Sequence, residues 1–242
     1  MFLKNNSTKC DYLELEHKPE NFAVLLKGQS LEMMPQYVDE FNSCLIVSDY
    51  DDELKLVGEH LLGKKIIHFT NRSKQSSLSK KSYKYYNINN IQTGQVFRFN
   101  HFRLMETYLH YKKMFVGLNV HFLPDCLLAY HKEFGKEYGL KFPNTGILSL
   151  IYTLEIIRPK TMWIFGLDFY SSKYMTTQTQ TTHLTIDNQA AKLDRLGLQE
   201  FVFSLFRKFP ETKIKVASYY NDWPEIHNVS MLKKLSKKDE SA

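Results

Sequence analysis

The sequence predicts an α/β fold built on a parallel sheet. Three short apolar runs, FAVLL at 22–26, CLIV at 44–47 and KIIHF at 65–69, have the length and composition of buried strands. The segment DDELKLVGEHLLG, between the second and third runs, has the apolar spacing of a helix. Strands that alternate with helices indicate a parallel sheet, because each helix returns the chain to the same edge.

The helix predicted in that segment has its apolar residues on one face and ends at Gly63. These residues are Leu54, Leu56, Val57, Leu61 and Leu62. The polar stretch 72–96 then predicts an irregular loop with one edge strand. Residues 101–138 are rich in aromatic residues and histidine, which favours helices with a short strand near 119–122.

The last hundred residues continue the alternation. An apolar helix is expected from Thr145 to Ile157, a buried strand at 162–165, an amphipathic helix at 190–206 and a last strand at 213–217. Residues 171–188, rich in Thr and Gln, predict a flexible lid. We therefore expect a flexible arm over 1–20, a single α/β domain over 21–227, and a basic tail over 228–242 that is disordered beyond a short helix.

Composition limits the class of protein. A chain of 242 residues, 43% of them hydrophobic, can form one large domain with a full core. The net charge of +6 is compatible with a nucleic acid, an anionic membrane or an anionic small substrate as partner, and it does not distinguish among them.

The three cysteines, Cys10, Cys44 and Cys126, lack CxxC spacing, which argues against a zinc site and a disulfide framework. Without a signal peptide or an apolar run of ~18 residues, a soluble intracellular protein is expected.

Two glycine turns are candidate anion sites. The first strand runs into Lys27-Gly28-Gln29-Ser30-Leu31, where Gly28 lets a ligand approach the backbone and Ser30 offers a hydroxyl. Asn144-Thr145-Gly146 opens the apolar helix in a similar way. Ordinary helix capping explains both turns equally well. Neither GxGxxG nor GxxxxGK(S/T) is present, so the dinucleotide fingerprint and the ATP P-loop do not apply.

A third candidate, Gly166-Leu167-Asp168-Phe169-Tyr170, follows a buried strand, where open α/β sheets bind ligands. Tyr170 and Tyr174 can donate to a leaving phosphate oxygen, although packing is the commoner role in a chain with 15 tyrosines. His183 lies in a polar, Thr-rich stretch and is either an exposed bystander or a general base.

Together these residues resemble the bacterial sialyltransferases of glycosyltransferase family 42. That family has a Gly-Pro-Ser-Leu turn after its first strand, where this chain has Gly28-Gln29-Ser30-Leu31. The family's Thr-Ser-Gly turn, Gly-Ile-Asp-Phe-Tyr strand end, second tyrosine and late histidine follow in order. They are matched by Asn144-Thr145-Gly146, Gly166-Leu167-Asp168-Phe169-Tyr170, Tyr174 and His183. The agreement covers about 145–217, is weaker over 22–50, and does not extend to 72–140.

The resemblance implies a Rossmann-like parallel sheet of the GT-A-variant type that binds a nucleotide sugar. It implies an inverting transfer of sialic acid from CMP-sialic acid to a glycan hydroxyl without a metal or another cofactor. His183 would be the general base, and Tyr170 and Tyr174 would bind the departing phosphate. The implied donor-binding residues are Gly28, Gln29, Ser30, Ser48, Asp49, Asn71, Asn144, Thr145, Gly146, Gly166 and Asp168. A glycan or glycolipid acceptor and a homo-oligomer are the implied partners.

Three positions depart from the family pattern. Lys27 replaces an asparagine, Asp49 stands where an asparagine is usual, and Lys141 is the nearest cation to the place of a family arginine. These departures leave open another CMP-activated sugar such as Kdo, or a non-catalytic nucleotide- or glycan-binding relative. An unrelated Rossmann-like enzyme such as a methyltransferase is disfavoured because the loop after the first strand is not glycine-rich. We expect a role in lipooligosaccharide biosynthesis, a cytoplasmic location, no nucleic-acid partner, and contact of the basic tail with the inner face of the membrane.

Overall fold

In the part of the chain that the structure describes, eight strands form one sheet in which every neighbouring pair is parallel. The computed structural model describes residues 19–47, 50–70, 93–97, 119–122, 127, 136–138, 145–171 and 189–233, with backbone alone for 70, 93–97, 119–122 and 189–196. The strands are β1 Asn21–Leu25, β2 Ser43–Val47, β3 Lys65–Thr70, β4 Thr93–Phe97, β5 Asn119–Phe122, β6 Thr161–Phe165, β7 Lys213–Ala217 and β8 Val229–Met231. The predicted α/β fold with a parallel sheet flanked by helices is confirmed.

The strand order is β5-β4-β3-β2-β1-β6-β7-β8. The chain adds strands on one side of β1 as far as β5, and then returns to the other side of β1 with β6. Leu25 and Phe165 lie opposite each other near the carboxyl ends of β1 and β6. In open parallel sheets, ligands bind in the crevice at such a reversal of strand order. The fold therefore directs attention to the residues that follow these two strands.

One face of the sheet is covered by a 3₁₀ helix, Gln29–Glu40, and by α1 (Asp51–Val57), which continues as a short 3₁₀ turn to Leu61. Gly63, at φ +76°, ends this helical segment as predicted. Leu54, Val57 and Leu61 are buried. Leu56 and Leu62, predicted on the same face, are instead 53% and 49% exposed. A helix turns about 100° per residue, so residues next to a buried position point elsewhere.

The opposite face is covered by α2 (Thr145–Tyr152), a π-helical turn (Thr153–Ile157) and α3 (Gln189–Arg207). Arg158 N donates to Thr153 O at 2.8 Å, the five-residue spacing of a π-turn, and Arg158 itself is left-handed at φ 51°. Pro159 then prevents the helix from continuing. Buried residues of α3 complete this side of the core: Leu198, Phe201, Val202, Phe203, Leu205 and Phe206.

Two strand predictions need correction. β4 is an interior strand between β3 and β5, although we expected an edge strand in that polar stretch. β8 occupies 229–231, where we expected disorder beyond a short helix. Asn228 fixes the approach to β8, because the two protons of its Nδ2 are shared among the carbonyl oxygens of Phe206, Phe209 and Thr212, which lie 2.9–3.2 Å away. A neighbouring strand and a side-chain anchor, rather than local propensity, hold these three residues in the sheet.

Most of the predicted lid and most of the N-terminal arm lie outside the described residues, as do the last nine positions of the predicted tail. In the ranges that are described, no helix has both the length and the apolar character needed to cross a membrane.

Candidate functional site

Two glycines allow the turns after β1 and β6 to touch. Gly28 N donates to Gly166 O at 3.0 Å, one step beyond the bond from Leu26 N to Phe165 O. A Cβ atom on Gly28 would lie 2.6 Å from Gly166 O and 2.6 Å from an Asp168 carboxylate oxygen. Gly166 has φ +81°, and a Cβ there would lie 2.8 Å from the Leu26 carbonyl. Both positions therefore require glycine, and the structure brings together two predicted site residues.

The Asp168 carboxylate lies at the centre of this contact and is 3% exposed. Its Oδ2 accepts from Ser30 N at 2.9 Å. Its Oδ1 accepts from Tyr219 N at 2.9 Å and lies 2.5 Å from Ser30 Oγ. One side chain after β6 thus joins the residues that follow β1 to those that follow β7.

The Ser30 hydroxyl is fully buried and is used within the protein. It accepts from Gly166 N at 3.1 Å, and its single proton lies between Asp168 Oδ1 and Ala217 O, the latter at 2.9 Å. Because Asp168 satisfies an amide at the start of the 3₁₀ helix, a negative charge already occupies the helix end that we expected to attract a ligand anion. Direct contacts of Ser30 and Asp168 with a donor stay predictions.

Tyr170 lies in an unusual turn. Ser171 N donates to Asp168 O at 2.8 Å, and the two central residues, Phe169 and Tyr170, have φ values of 48° and 58°. Positive φ at both central residues is the pattern of a type I′ turn, which normally contains Asn or Gly. Holding a bulky residue in this conformation costs about 1–3 kcal/mol, and such strain tends to be found at functional sites.

An aromatic cluster holds this turn in place. Phe169 is 3% exposed, and its ring centroid lies 5.3–5.7 Å from those of Phe203, Tyr220 and Trp223. Each such pair contributes about 0.5–1.5 kcal/mol beyond area burial. The cluster and the Asp168 hydrogen bonds together offset the strain of the turn, and the half-buried Tyr170 packs against the same core.

The second glycine turn opens α2 as predicted. Thr145 is buried, Gly146 is half-buried, and Ser149 Oγ donates to Gly146 O at 2.7 Å within the first turn. The helix packs against β2 and β3, so the side of the helix that faces the sheet is part of the core. Gln29, by contrast, is exposed at the start of the 3₁₀ helix after β1.

The remaining predicted site residues lie outside the described part of the chain: His183, Tyr174, Ser48, Asp49, Asn71 and Asn144. Their roles stay predictions. The side-chain clusters found among the described residues include no group of three or more His, Cys, Asp or Glu suited to a metal ion.

Tyr219 is a site residue that the sequence analysis missed. Besides its amide bond to Asp168, its hydroxyl donates to Glu32 Oε1 in the 3₁₀ helix. Burial and this hydrogen bond to Glu32 raise the pKa of Tyr219 to about 12. Ser218 next to it donates from Oγ to Leu167 O at 2.6 Å. The rule that residues after parallel strands build the site, applied to β7 as it was to β6, would have found both.

Lys27 and Glu53 form an ion pair near the carboxyl end of β1. Lys27 Nζ lies 3.6 Å from Glu53 Oε1, and the two side chains are 10% and 0% exposed. Glu53 belongs to the first turn of α1. Tyr50 OH, just before that helix, donates to Leu26 O at 3.1 Å. The start of α1 is therefore tied to the end of β1 by a hydrogen bond and an ion pair.

The comparisons with known proteins bear on this fold. No protein-family model matches the chain, and no curated protein is significantly similar to it in sequence. Among solved structures, the sialyltransferase CstII from Campylobacter jejuni, in complex with the substrate analogue cytidine-5'-monophosphate, is similar at a TM-score of 0.50. This chain has the fold of that sialyltransferase. The two share 16% sequence identity over 82% of this chain and 80% of the other, which shows a common fold alone.

Proposed function

We propose that this protein is an inverting, metal-independent glycosyltransferase that moves sialic acid from CMP-sialic acid to a hydroxyl of a glycan or glycolipid acceptor. The observation that carries the proposal is the strained Asp168–Ser171 turn beside the strand-order reversal, in a fold shared with a sialyltransferase that binds cytidine monophosphate (CMP). The turn contains Tyr170 and follows β6, at the edge of the sheet where open parallel sheets bind ligands.

In the proposed reaction, the acceptor hydroxyl attacks the anomeric carbon of the sugar while the bond from that carbon to the CMP phosphate breaks. Attack from the face opposite the phosphate inverts the anomeric configuration. His183 accepts the hydroxyl proton, and the hydroxyls of Tyr170 and Tyr174 donate to the departing phosphate oxygen. Hydrogen bonds from two phenols supply the leaving-group stabilisation that a metal ion gives in other transferases.

The geometry around Tyr170 supports its role. Catalytic donors act best when they are held in place before charge develops, because no reorganisation is then needed in the transition state. Asp168 fixes one end of the turn through Ser30 and Tyr219, and Phe169 is fixed inside the aromatic cluster. Tyr170 directly follows these two anchored residues, so the backbone that carries its side chain is held in place.

The alternative is a different donor sugar, and one specific observation favours it. Lys27, in place of the family's asparagine, adds a cation beside Glu53 at the carboxyl end of β1. A changed charge at this position is compatible with Kdo or another CMP-activated sugar, or with a relative that binds nucleotide or glycan without turnover.

The test is donor consumption in the presence of EDTA. The protein is incubated with CMP-sialic acid or with CMP-Kdo, and the release of CMP is followed. We expect CMP-sialic acid to be consumed. His183→Ala should remove turnover and leave CMP binding nearly intact, whereas His60→Ala, at an exposed position on the helical segment after α1, should behave as wild type.

Three outcomes would contradict this proposal in different ways. Consumption of CMP-Kdo alone would reassign the donor. A raised melting temperature with CMP but no consumption of either donor would indicate a binding protein. No binding of CMP at all would remove the basis of the proposal.

A further inference from the structure

One indole ring connects the strained turn after β6 to the helix α3. Trp223, in the segment between β7 and β8, is half-buried and packs against the core on this face of the sheet. Its ring centroid lies 5.1 Å from that of Phe203, 5.4 Å from that of Phe169, and 6.4 Å from those of Phe206 and Tyr220. Phe203 and Phe206 belong to α3, so the indole lies between that helix and the turn.

We infer that Trp223 is a positioning residue for the proposed reaction. Through Phe169, it keeps the backbone of Tyr170 in the conformation from which the Tyr170 hydroxyl donates to the departing phosphate. The inference rests on the proposed function, because it assigns a further residue to the support of the same tyrosine. In this assignment Trp223 does not touch the donor and acts through the turn alone.

The turn needs support from outside. Phe169 and Tyr170 have φ values of 48° and 58°, a region that residues with bulky side chains rarely adopt. Such a conformation persists only where the surrounding structure imposes it. The surroundings act on the turn through the ring of Phe169, which is 3% exposed, and Tyr170 is the next residue. A shift of the Phe169 ring is therefore passed through one peptide bond to the backbone that carries Tyr170.

Trp223 is itself held from both sides along the chain. Before it, Tyr219 N donates to Asp168 Oδ1 at 2.9 Å, which ties the start of the segment to the turn. After it, Pro224 restricts the backbone of Trp223, and Ile226 is buried in the core. The indole is therefore a fixed support for the Phe169 ring.

The size of the indole, rather than its polar group, accounts for this support. The Trp223 Nε1–H is buried and has no hydrogen-bond partner among the residues that the structure describes. A buried donor without an acceptor disfavours the folded state, so a ring that lacks the N–H would in that respect be no worse for folding. The large ring face, which lets one side chain contact four others, is what a smaller residue does not reproduce.

The second tryptophan of the chain provides a matched control. Trp163, on β6, is 2% exposed, and its Nε1–H is likewise buried without a partner in the described ranges. Its ring lies 5.7 Å from that of Tyr37 and 4.0 Å from the Lys215 ammonium. Trp163 belongs to the core on the face that carries the 3₁₀ helix, whereas Phe169 belongs to the core on the other face. Loss of either indole should lower stability, but loss of Trp163 leaves the support of the turn in place.

The experiment is a double-mutant cycle in the full chain. Trp223→Leu and Tyr170→Phe are measured singly and together, and Trp163→Leu is combined with Tyr170→Phe in the same way. The values of kcat and KM come from CMP release with CMP-sialic acid, or with CMP-Kdo if that is the donor consumed. Thermal melting shows that each variant is folded. Trp223→Phe tests rescue by an aromatic ring, and Trp223→Met replaces the leucine variant if that one does not fold.

We expect Trp223→Leu to lower kcat by on the order of 10- to 100-fold and to change KM by less than about threefold. The reason is that the phenol acts on charge that develops in the transition state, so its displacement affects kcat first. In the Tyr170→Phe background the same change should lower kcat by less than about twofold, since no hydroxyl remains to be displaced. Trp223→Phe should keep kcat within about 10-fold of wild type. Trp163→Leu should lower the melting temperature and leave kcat unchanged in both backgrounds.

An equal loss of kcat from Trp223→Leu in both backgrounds would overturn the inference and leave the proposed function intact. A folded Trp223→Leu protein with the kcat of wild type, or a Trp163→Leu protein with the same loss, would do so as well. If Tyr170→Phe were as active as wild type, the role of Trp223 would fail together with that of Tyr170, while CMP release would still be measured. If the wild-type protein consumed neither donor, the proposed function itself would fail.

Discussion

Ser30 and Asp168 are 138 positions apart in the sequence, and Ser30 Oγ lies 2.5 Å from Asp168 Oδ1 in the buried centre of the crevice. A second bond, from Ser30 N to Asp168 Oδ2, makes this a two-point contact between the segments after β1 and β6. These two strands become neighbours only through the reversal of strand order. The contact therefore fixes the relative position of the two segments that any ligand at the reversal must meet.

Asp168→Asn should destabilise the protein. An amide in place of the carboxylate must direct its NH₂ at Ser30 N or at Tyr219 N, both of which are donors. A buried donor left without an acceptor costs about 1–3 kcal/mol, and we expect the free energy of unfolding to fall by that amount. Urea denaturation measures it. Asp222→Asn, at an exposed position in the loop after β7, is the control and should change little. If both variants were equally stable, the Asp168 hydrogen bonds would make no net contribution to the free energy of unfolding.

Gly28→Ala should reduce both stability and CMP binding. The added Cβ atom would meet backbone and carboxylate oxygens at 2.6 Å, and the turn must open to accept it. Overpacking of this kind costs about 1–3 kcal/mol. Gly63→Ala is the comparison, because its position is left-handed but has no atom within 4 Å of the added carbon. It should lower the melting temperature and leave CMP binding unchanged. If Gly28→Ala bound CMP as well as Gly63→Ala does, the close approach of Gly28 to Gly166 and Asp168 would have no role in CMP binding.

Part of the fold and part of the candidate site can be predicted from the sequence, because two physical rules are local. Apolar runs of the right length, such as 44–47, mark buried strands, and residues after parallel strands meet at one edge. Gly28 and Gly166 were both found in this way, and the structure brings them into contact. The helix boundaries at Gly63 and Pro159 followed from equally local rules.

Other features depend on which elements become neighbours, and local patterns do not record this. Nothing around Lys27 indicates that Glu53 faces it. The position of Tyr219 after β7 makes it a candidate residue, but nothing in the sequence indicates that its amide contacts Asp168. β8 is a strand because β7 lies beside it, since its three residues carry no pattern of their own. The left-handed Phe169 and Tyr170 were missed for another reason: bulky residues adopt this conformation only when tertiary contacts impose it.

Tyr170→Phe should impair catalysis without affecting folding. The phenylalanine ring keeps the packing of the turn but removes the hydroxyl that we propose as a donor to the departing phosphate. Loss of one such donor lowers kcat by about 100- to 1,000-fold. Steady-state release of CMP and thermal melting measure the two effects separately. The control is Tyr37→Phe, which loses a hydroxyl bonded to Lys233 O on the other face of the sheet. If Tyr170→Phe were as active as Tyr37→Phe, the Tyr170 hydroxyl would have no role in the catalytic step.

Tyr219 should make the stability of the protein fall at alkaline pH. Burial, and then the bond to Glu32, raise the pKa of Tyr219 from the usual 10.0 of a tyrosine to about 12 in the folded state. Between these two values the unfolded chain has already lost the proton that the folded protein still holds. The unfolded state then binds fewer protons, so stability decreases as pH rises. The stabilisation is fully present below pH 10 and is lost as pH rises through about 12.

Tyr219→Phe isolates this effect from that of the other tyrosines. The variant lacks the titrating hydroxyl but keeps the amide that donates to Asp168. Urea unfolding at a series of pH values should show wild type more stable than the variant below pH 10, and the difference should narrow steadily as pH rises towards 12. A difference that stayed constant over this range would mean that the Tyr219 hydroxyl titrates alike in the folded and unfolded states, and that its bond to Glu32 does not form in solution.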